Sequence, residues 1–424
     1  MKGPAMVWTI ARKEIVSNLL SYKFFIVILL TTVLLFTSFF VMVKDFKGRL
    51  ADYDIIRPKP GDAIAVLPPN PLSIFAKGLD EAMTRSFEIS RTGIGVRAGQ
   101  KTDNVIFSFF PAPDFVYIVK IVLSLVALLF GFDQVSRERE TGVLRLMLSN
   151  SLPRAKVLGG KWLGNFLSLA VPFLLVTLLG FALMNMDPGV RFSAASAGRF
   201  LLLVLTSLFY ITLFLSLGIF LSALTRRSAA TLVVLLLIWA VAVFVLPNLG
   251  TLVARQLVDV PSVKAVSEKR VQIWSREMVL LIMERRAKSD QDVGPIIKAH
   301  FDKFNAELDA LEEDYRNRFE RLVRLSKNIN RVSPAASFVY AATELAGTGV
   351  GEESRLKQEV IRYKDSIYKD FPSGKKDHAA FVYRPRSIGR VLAEGGLIDL
   401  AELAVFNILF FVLGFVAFIR YDVR

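Results

Sequence analysis

The chain has 424 residues, is 53% hydrophobic with 34 Phe, and carries a formal net charge of +15. So much apolar side chain does not suit a water-soluble globule and makes lipid part of its solvent. The absence of Cys and the presence of only two His, His300 and His378, exclude disulfide frameworks, thiolate centres and histidine metal clusters.

In chain order, residues 1–23 come first. Trp8, Ala11, Ile15, Leu19 and Tyr22 recur at helical spacing, with Arg12, Lys13, Ser17 and Asn18 opposite, which predicts an amphipathic helix in the membrane interface. The apolar run that follows, 24–43, is too long for a cleavable leader and is followed by no small-residue cleavage site, so it is a retained first span. Residues 44–113 contain "RPKPGDAIAVLPPNPLS" and the alternating "SFEISRTGIGVRAG", which predict turns, one short helix and a few strands.

A second span covers 115–133, interrupted by Lys120, whose ammonium either snorkels to the interface or lines a cargo path. A charged segment, 134–161, separates it from a third span at 162–185, in which Pro172 predicts a kink. Two more spans cover 200–223 and 229–249, and a sixth covers 400–419.

Between the last two, residues 250–396 read as a helical domain. Val266, Ile273, Trp274 and Met278 are candidate packing positions of a helix over 262–289, ended before Gly294 and Pro295. Beyond them Phe301, Phe304, Leu308, Leu311, Tyr315, Phe319, Leu322, Leu325 and Ile329 step by three and four along one long helix. The expected fold is therefore a mainly α membrane protein: six transmembrane helices, an interfacial helix, a cytoplasmic connecting helix, and a largely helical extracytoplasmic domain with some strand.

The basic residues cluster at span ends rather than in any nucleic-acid-binding pattern. Arg12, Lys13 and Lys23; Arg137, Arg139, Arg145, Arg154, Lys156 and Lys161; Arg226 and Arg227; and Arg420 and Arg424 all fall on one side if six spans alternate. The positive-inside rule makes that side, with both termini, cytoplasmic. The reading is a multi-pass protein of a bacterial inner membrane.

No catalytic constellation is found in the chain. "GIGVRAGQKT" breaks the Gly-Lys-Ser/Thr run of a phosphate loop, and "GTGVGEE" is a glycine repeat without the preceding strand that a dinucleotide fingerprint needs. Asp133, Asp399 and Glu402 form no paired intramembrane site, which argues against an autonomous ion-driven carrier, although Lys120 and Glu402 remain candidates for a transport path.

The segment "FDQVSRERETGVLRLMLSNSLPRAKVLGGKWLG" resembles the stretch between the second and third spans of type 2 ABC exporter permeases. The matching positions are Asp133, Glu138, Glu140, Gly142, Leu144, Leu148, Ser149, Pro153, Arg154 and Lys161. "ARKEIVSNLLSYKFF" is similar to the family's interfacial helix. "LSKNINRVSPAASFVYAATELAGTG" and "FFVLGFVAFIRYDVR" look like the subgroup with a large external insertion between the last two spans.

The resemblance implies a permease without an ATPase site or cofactor of its own. It implies a second permease chain, identical or paralogous, and separate ATP-binding subunits that hold ATP and Mg. A coupling helix would dock on those subunits. Within it Glu138 and Glu140 suit the positive end of the helix dipole, and Leu144, Met147 and Leu148 give an apolar edge. Pro153 stops the helix, and Arg154 faces acidic groups or lipid phosphates. Each residue also has a purely local reading, in which the acids cap, the leucines bury against the bundle and the basic residues fix topology. Two functions follow: an ATP-driven exporter, or a mechanotransmission or assembly scaffold whose external part moves a periplasmic partner. A lipid, a peptide, a drug or a metal-centre precursor all remain admissible as cargo.

Overall fold

The computed structural model describes residues 3–90, 93–97, 113–149, 153–287, 294–368 and 379–420. His378 lies outside them, as do the second half of "GIGVRAGQKT" and the side chain of Leu148. By compact packing the chain divides into Met1–Val243 with Ser333–Arg424, and a second unit, Phe244–Val332.

Among the described residues, six helices are long and apolar enough to cross a membrane. They are α2 (Tyr22–Ile56), α4 (Phe115–Glu140), α6 (Arg154–Asn185), α7 (Ala194–Leu224), α8 (Ser228–Leu257) and α13 (Ile388–Ile419); α1 (Gly3–Leu19), expected as the interfacial helix, precedes them, and the one-turn α3 (Asp80–Met83) lies between α2 and α4. Each of the six is longer than the apolar window that marks it. At 1.5 Å per residue, the 35 residues of α2 outrun a hydrocarbon core of roughly 30 Å. Its second half, expected as loop from residue 44, stays helical to Ile56 because Arg49 is buried there. Arg49 bonds Asp45 at 2.9 Å, Ser73 at 3.0 Å and the buried Asp80. α6 runs on through Pro172, and α13 turns at Gly395, whose φ of 135° suits glycine.

The bundle core forms around α7, whose buried residues include Leu203, Tyr210, Phe214 and Leu217. Against α4 the two backbones nearly touch: a Cβ on Gly131 would lie 2.9 Å from the Cα of Gly218. With little hydrophobic drive between helices in lipid, such small-residue crossings supply the packing.

Residues 334–346 depart from expectation. Instead of joining an external domain, α11 (Pro334–Ala346) packs into the bundle, with Phe338 stacked on Tyr210 at 4.4 Å and Ser337 donating to Glu402 at 2.8 Å. Its sequence, "PAASFVYAATELA", is apolar and small, which favours close helix contact, but 13 residues are too few to cross. Ser333 caps it, accepting from the Ala336 N–H at 3.3 Å.

The segment 44–113 contributes a three-stranded antiparallel sheet in the order β1 (Ile64–Ala65), β2 (Ser86–Ser90), β3 (Gly93–Arg97). Phe87 and Ile89 alternate onto one face and share a small core with Met83 and with Leu356 and Val360 of α12 (Val350–Tyr368). The two stretches expected as separate external segments thus build one body. The first three residues of "GTGVGEE" connect α11 to α12 and the last four open α12, and Gly347 ends α11 in the left-handed region at φ 75°.

Within the second unit, α9 (Val263–Ala287) and α10 (Gly294–Asn330) form the expected antiparallel pair. Phe304, Leu308 and Val266 are buried, Ile273 and Met278 are half-buried, while Trp274 and Phe319 remain exposed. Asn330 accepts from the Gly250 N–H at 2.9 Å, fixing the crossing of α10 on the end of α8.

Candidate functional site

The motif-bearing stretch begins where α4 leaves the bundle. The N–H groups of Val135 and Ser136 both donate to Ser222 Oγ at 3.0 Å, which anchors the end of α4 to α7. Three consecutive side chains then tie it to three different places.

Glu138 Oε1 accepts from Lys161 Nζ at 2.7 Å, and the same ammonium donates to Glu14 Oε1 at 3.1 Å. The Lys161 side chain is 2% exposed, and Lys13 stands 3.7 and 3.8 Å from the two carboxylates. A buried ammonium is tolerable only when paired and hydrogen-bonded; here α1, α4 and α6 each supply a member. Arg139 sends Nη1 to the Thr225 carbonyl at 2.9 Å and Nη2 to Ala223 O at 3.2 Å, where cationic charge suits the C-terminal end of α7. Glu140 accepts from the Ser228 N–H at 3.0 Å and from Ser228 Oγ at 2.6 Å, at the N-terminus of α8.

Close backbone approach makes the joint with α1 stiff. A Cβ on Gly160 would lie 2.7 Å from Ile10 Cβ, and one on Gly164 2.7 Å from the Ala11 carbonyl oxygen. Asn18 adds a bond to Asn165 Oδ1 at 2.9 Å. α1 is therefore docked on α6 through Ala11 and Glu14, while Trp8, Val16 and Leu19 stay exposed on its other side.

After Thr141 the chain reverses at Gly142, φ 76°, into α5 (Val143–Ser149). Leu144, expected on an apolar edge for a partner, is instead 0% exposed within the bundle core. That edge is formed by Val143 and by Leu146, which is 70% exposed; Met147 is half-buried. Helical geometry explains the swap, since residues two apart point to different sides. Pro153 immediately precedes α6 rather than closing α5, and Arg154 Nη1 donates to the Ile419 carbonyl at 2.5 Å, at the end of α13.

The two transport-path candidates lie elsewhere in the bundle. The Lys120 ammonium sits 5.4 Å from the Tyr117 ring centre, and the Lys120 carbonyl accepts from Tyr210 OH at 3.0 Å. Tyr210 stacks on Phe338, whose neighbour Ser337 bonds Glu402, so one polar and aromatic chain links both candidates without placing them side by side. Lys120 lies in a single π-helical turn, Val119–Leu123, a feature found often at functional sites.

The sequence did not single out Glu14, Arg139, Ser222 or Ser228 for these roles. Their partners lie 84 to 147 residues away. The local sign was a carboxylate, Glu14, beside two cations, Arg12 and Lys13, on an amphipathic helix.

A family model described as "ABC-2 family transporter protein" matches residues 8–423. The chain is also 32% identical, over 184 residues, to the probable ABC transporter permease protein NosY of Pseudomonas aeruginosa. That similarity covers 41% of this chain and 65% of the relative, so the match spans less than two thirds of that protein's length. Six membrane-crossing helices and a family match over nearly the whole length agree: the chain is a multi-pass membrane protein of the ABC-2 transporter family.

Proposed function

We propose that this permease is the membrane half of an ATP-driven exporter, paired with a second permease chain and with ATP-binding subunits that carry ATP and Mg. Residues 138–149 are its coupling element. The end of the bundle that bears α1 and α5 faces the cytoplasm, with both termini, in a bacterial inner membrane.

The observation that carries this reading is the run Glu138, Arg139, Glu140, each tied to a different helix within 3.2 Å. A push on the exposed Leu146 edge of α5 reaches α1, α6, α7 and α8 through bonds that have little slack. Such a stiff lever is what conversion of subunit closure into helix displacement requires.

Reconstitution with the matched ATP-binding subunit provides the test. Leu146→Asp is expected to leave insertion intact and to lower both complex formation and stimulated ATP hydrolysis; unchanged values would remove α5 from the coupling role. Because the chain has no Cys, orientation is read directly. Leu146→Cys should react only from the cytoplasmic side and Ser275→Cys only from the other.

The body built from the sheet and α12, together with the unit Phe244–Val332, supports a second reading, mechanotransmission to a periplasmic partner. ATP hydrolysis in vesicles that changes the partner while no candidate cargo crosses would favour it over export.

A further inference from the structure

We infer that the joint between α1, α4 and α6 is a binding site for one anionic glycerophospholipid, its head in a polar cleft and an acyl chain in the groove below. The cleft, of about 460 Å³, has four cations on its walls, Lys13, Lys23, Arg137 and Lys161, against three carboxylates, Glu14, Asp133 and Glu138. One positive charge is left over. Lys13, Lys23 and Arg137 are the outward-facing ones, with more than half of each side chain exposed. Lys161 is buried at the bottom.

Hydrogen bonding narrows the headgroup. Lys161 and the rim cations occupy Glu14 and Asp133, but Oε2 of Glu138 is buried and has no partner among the described residues. A ligand filling the cleft must bring a donor to that oxygen as well as an anion to the rim. A phosphodiester with hydroxyls on its head, the chemistry of phosphatidylglycerol, has both. An ethanolamine head also has a donor, but its zwitterion leaves the excess positive charge uncompensated.

The acyl part follows from adjacency. Phe130 lines the polar cleft and also a second, narrow groove between α2, α4 and α6, where Val27, Ile28, Val126, Leu169 and Val176 make the walls. The groove is almost wholly apolar. Its one unsatisfied group is Thr31 Oγ1, buried and without a partner among the described residues, which suits an ester oxygen of a lipid backbone. A polar cleft beside an apolar groove, with Phe130 as a wall of both, fits an amphiphile better than a free anion. Its position beside the amphipathic α1, with Trp8 and Leu19 exposed, is where lipid heads lie.

The inference does not depend on the transport reading. Arg137 and Glu138 belong to the stretch that ties α4 to its neighbours, so an occupied cleft would also brace that stretch.

Native mass spectrometry of the full-length chain in detergent, titrated with phosphatidylglycerol, tests the site. One molecule should bind, more tightly than phosphatidylethanolamine of the same chain length. At about 1 kcal/mol, or roughly fivefold, for each basic residue near a lipid surface, Lys13→Ala with Lys23→Ala should weaken binding about 25-fold. Val27→Trp, which fills the groove and leaves every charge in place, should weaken it at least tenfold. Glycerol-1-phosphate should not compete, because it lacks the chain. Equal affinity for the two lipids, or undiminished binding in both variants, would overturn the inference. So would displacement by glycerol-1-phosphate, which would reduce the cleft to an anion site. If the double lysine variant fails to fold, as judged by circular dichroism and elution volume, Arg137→Gln on the exposed rim replaces it under the same criterion.

Discussion

Lys161 shows how much one side chain carries here. Among the described residues its ammonium is the buried bridge between Glu14 on α1 and Glu138 on α4, and the cluster is close to neutral only because all its members are present. Breaking a buried pair on one side costs about 3–5 kcal/mol, because the remaining charge is left without compensation. Lys161→Met should therefore lower the thermal unfolding midpoint of the detergent-solubilised protein sharply. The triple change Lys161→Met, Glu14→Gln, Glu138→Gln should restore most of the loss, since polar but uncharged groups can share the site. A triple variant as unstable as the single one would show that shape, not charge, sets the requirement. From the sequence, Lys161 is recognisable as the Lys that opens a span after Gly160. Its partners, 23 and 147 residues away, are not.

At the level of elements, the end of α4 acts as a clamp. Glu140 holds the N-terminus of α8, where a carboxylate is favoured by the helix dipole and by two donors from Ser228. Glu140→Lys reverses that charge next to Arg227. The protein should still insert and keep its helicity, while stimulated ATP hydrolysis by the partner subunit falls severalfold. Wild-type stimulation would take Glu140 out of the lever.

The α9–α10 pair makes a pH prediction. His300 lies between Glu277 at 3.1 Å and Glu284 at 3.0 Å, with Lys303, Arg276 and Glu307 nearby. The bonds to Glu277, then Glu284, raise the His300 pKa above its ordinary 6.5. The bond from His300, followed by the charges of Lys303 and Arg276, lowers that of Glu277 below 4.5 despite partial desolvation. A raised histidine contributes stability that is fully present below about pH 6.5 and is lost as pH rises through the folded value. A lowered carboxylate contributes stability present above about 4.5 and lost as pH falls. Amide exchange along α9 in the full chain should thus be slowest in mildly acidic solution and quicken as pH rises further, beyond the intrinsic pH effect. His300→Gln should remove that extra quickening.

For the molecule as a whole, the point of greatest consequence is Arg386, just before α13. Its guanidinium bonds Glu352 and Glu344 at 2.6 Å and Glu394 at 3.0 Å, and its carbonyl accepts from Arg199 at the start of α7. Burial works against its charge, but Glu352, then Glu344 and Glu394, outweigh burial and hold its pKa above the usual range. The same Glu352 accepts from Tyr383 OH at 2.7 Å, and burial followed by that carboxylate pushes the phenol well up. One residue therefore joins α11, α12 and α13 with the start of α7. Arg386→Ala leaves Glu344 and Glu352 buried without their cation and should cost about 3–5 kcal/mol, read as a lowered unfolding midpoint and new protease cleavage in 350–368. Arg386→Lys should recover less than half, because a single ammonium cannot reproduce the three-way fork. Full recovery by Lys would mean that charge alone suffices.

The sequence by itself determined the mainly α character, the six spans, the paired helices around Gly294 and the segment that carries the family motif. These rest on local quantities: apolar run length, three-and-four periodicity, caps, and charge at span ends. Only the tertiary structure decided that residues 334–346 enter the bundle, that 64–97 and 350–383 share one core, and that Leu144 is buried while Leu146 is exposed. Those outcomes depend on which distant surfaces meet. The buried charges, Lys161 between Glu14 and Glu138, and Arg386 among three glutamates, belong to the same class, because a charge is tolerable inside only when partners from other parts of the chain arrive beside it.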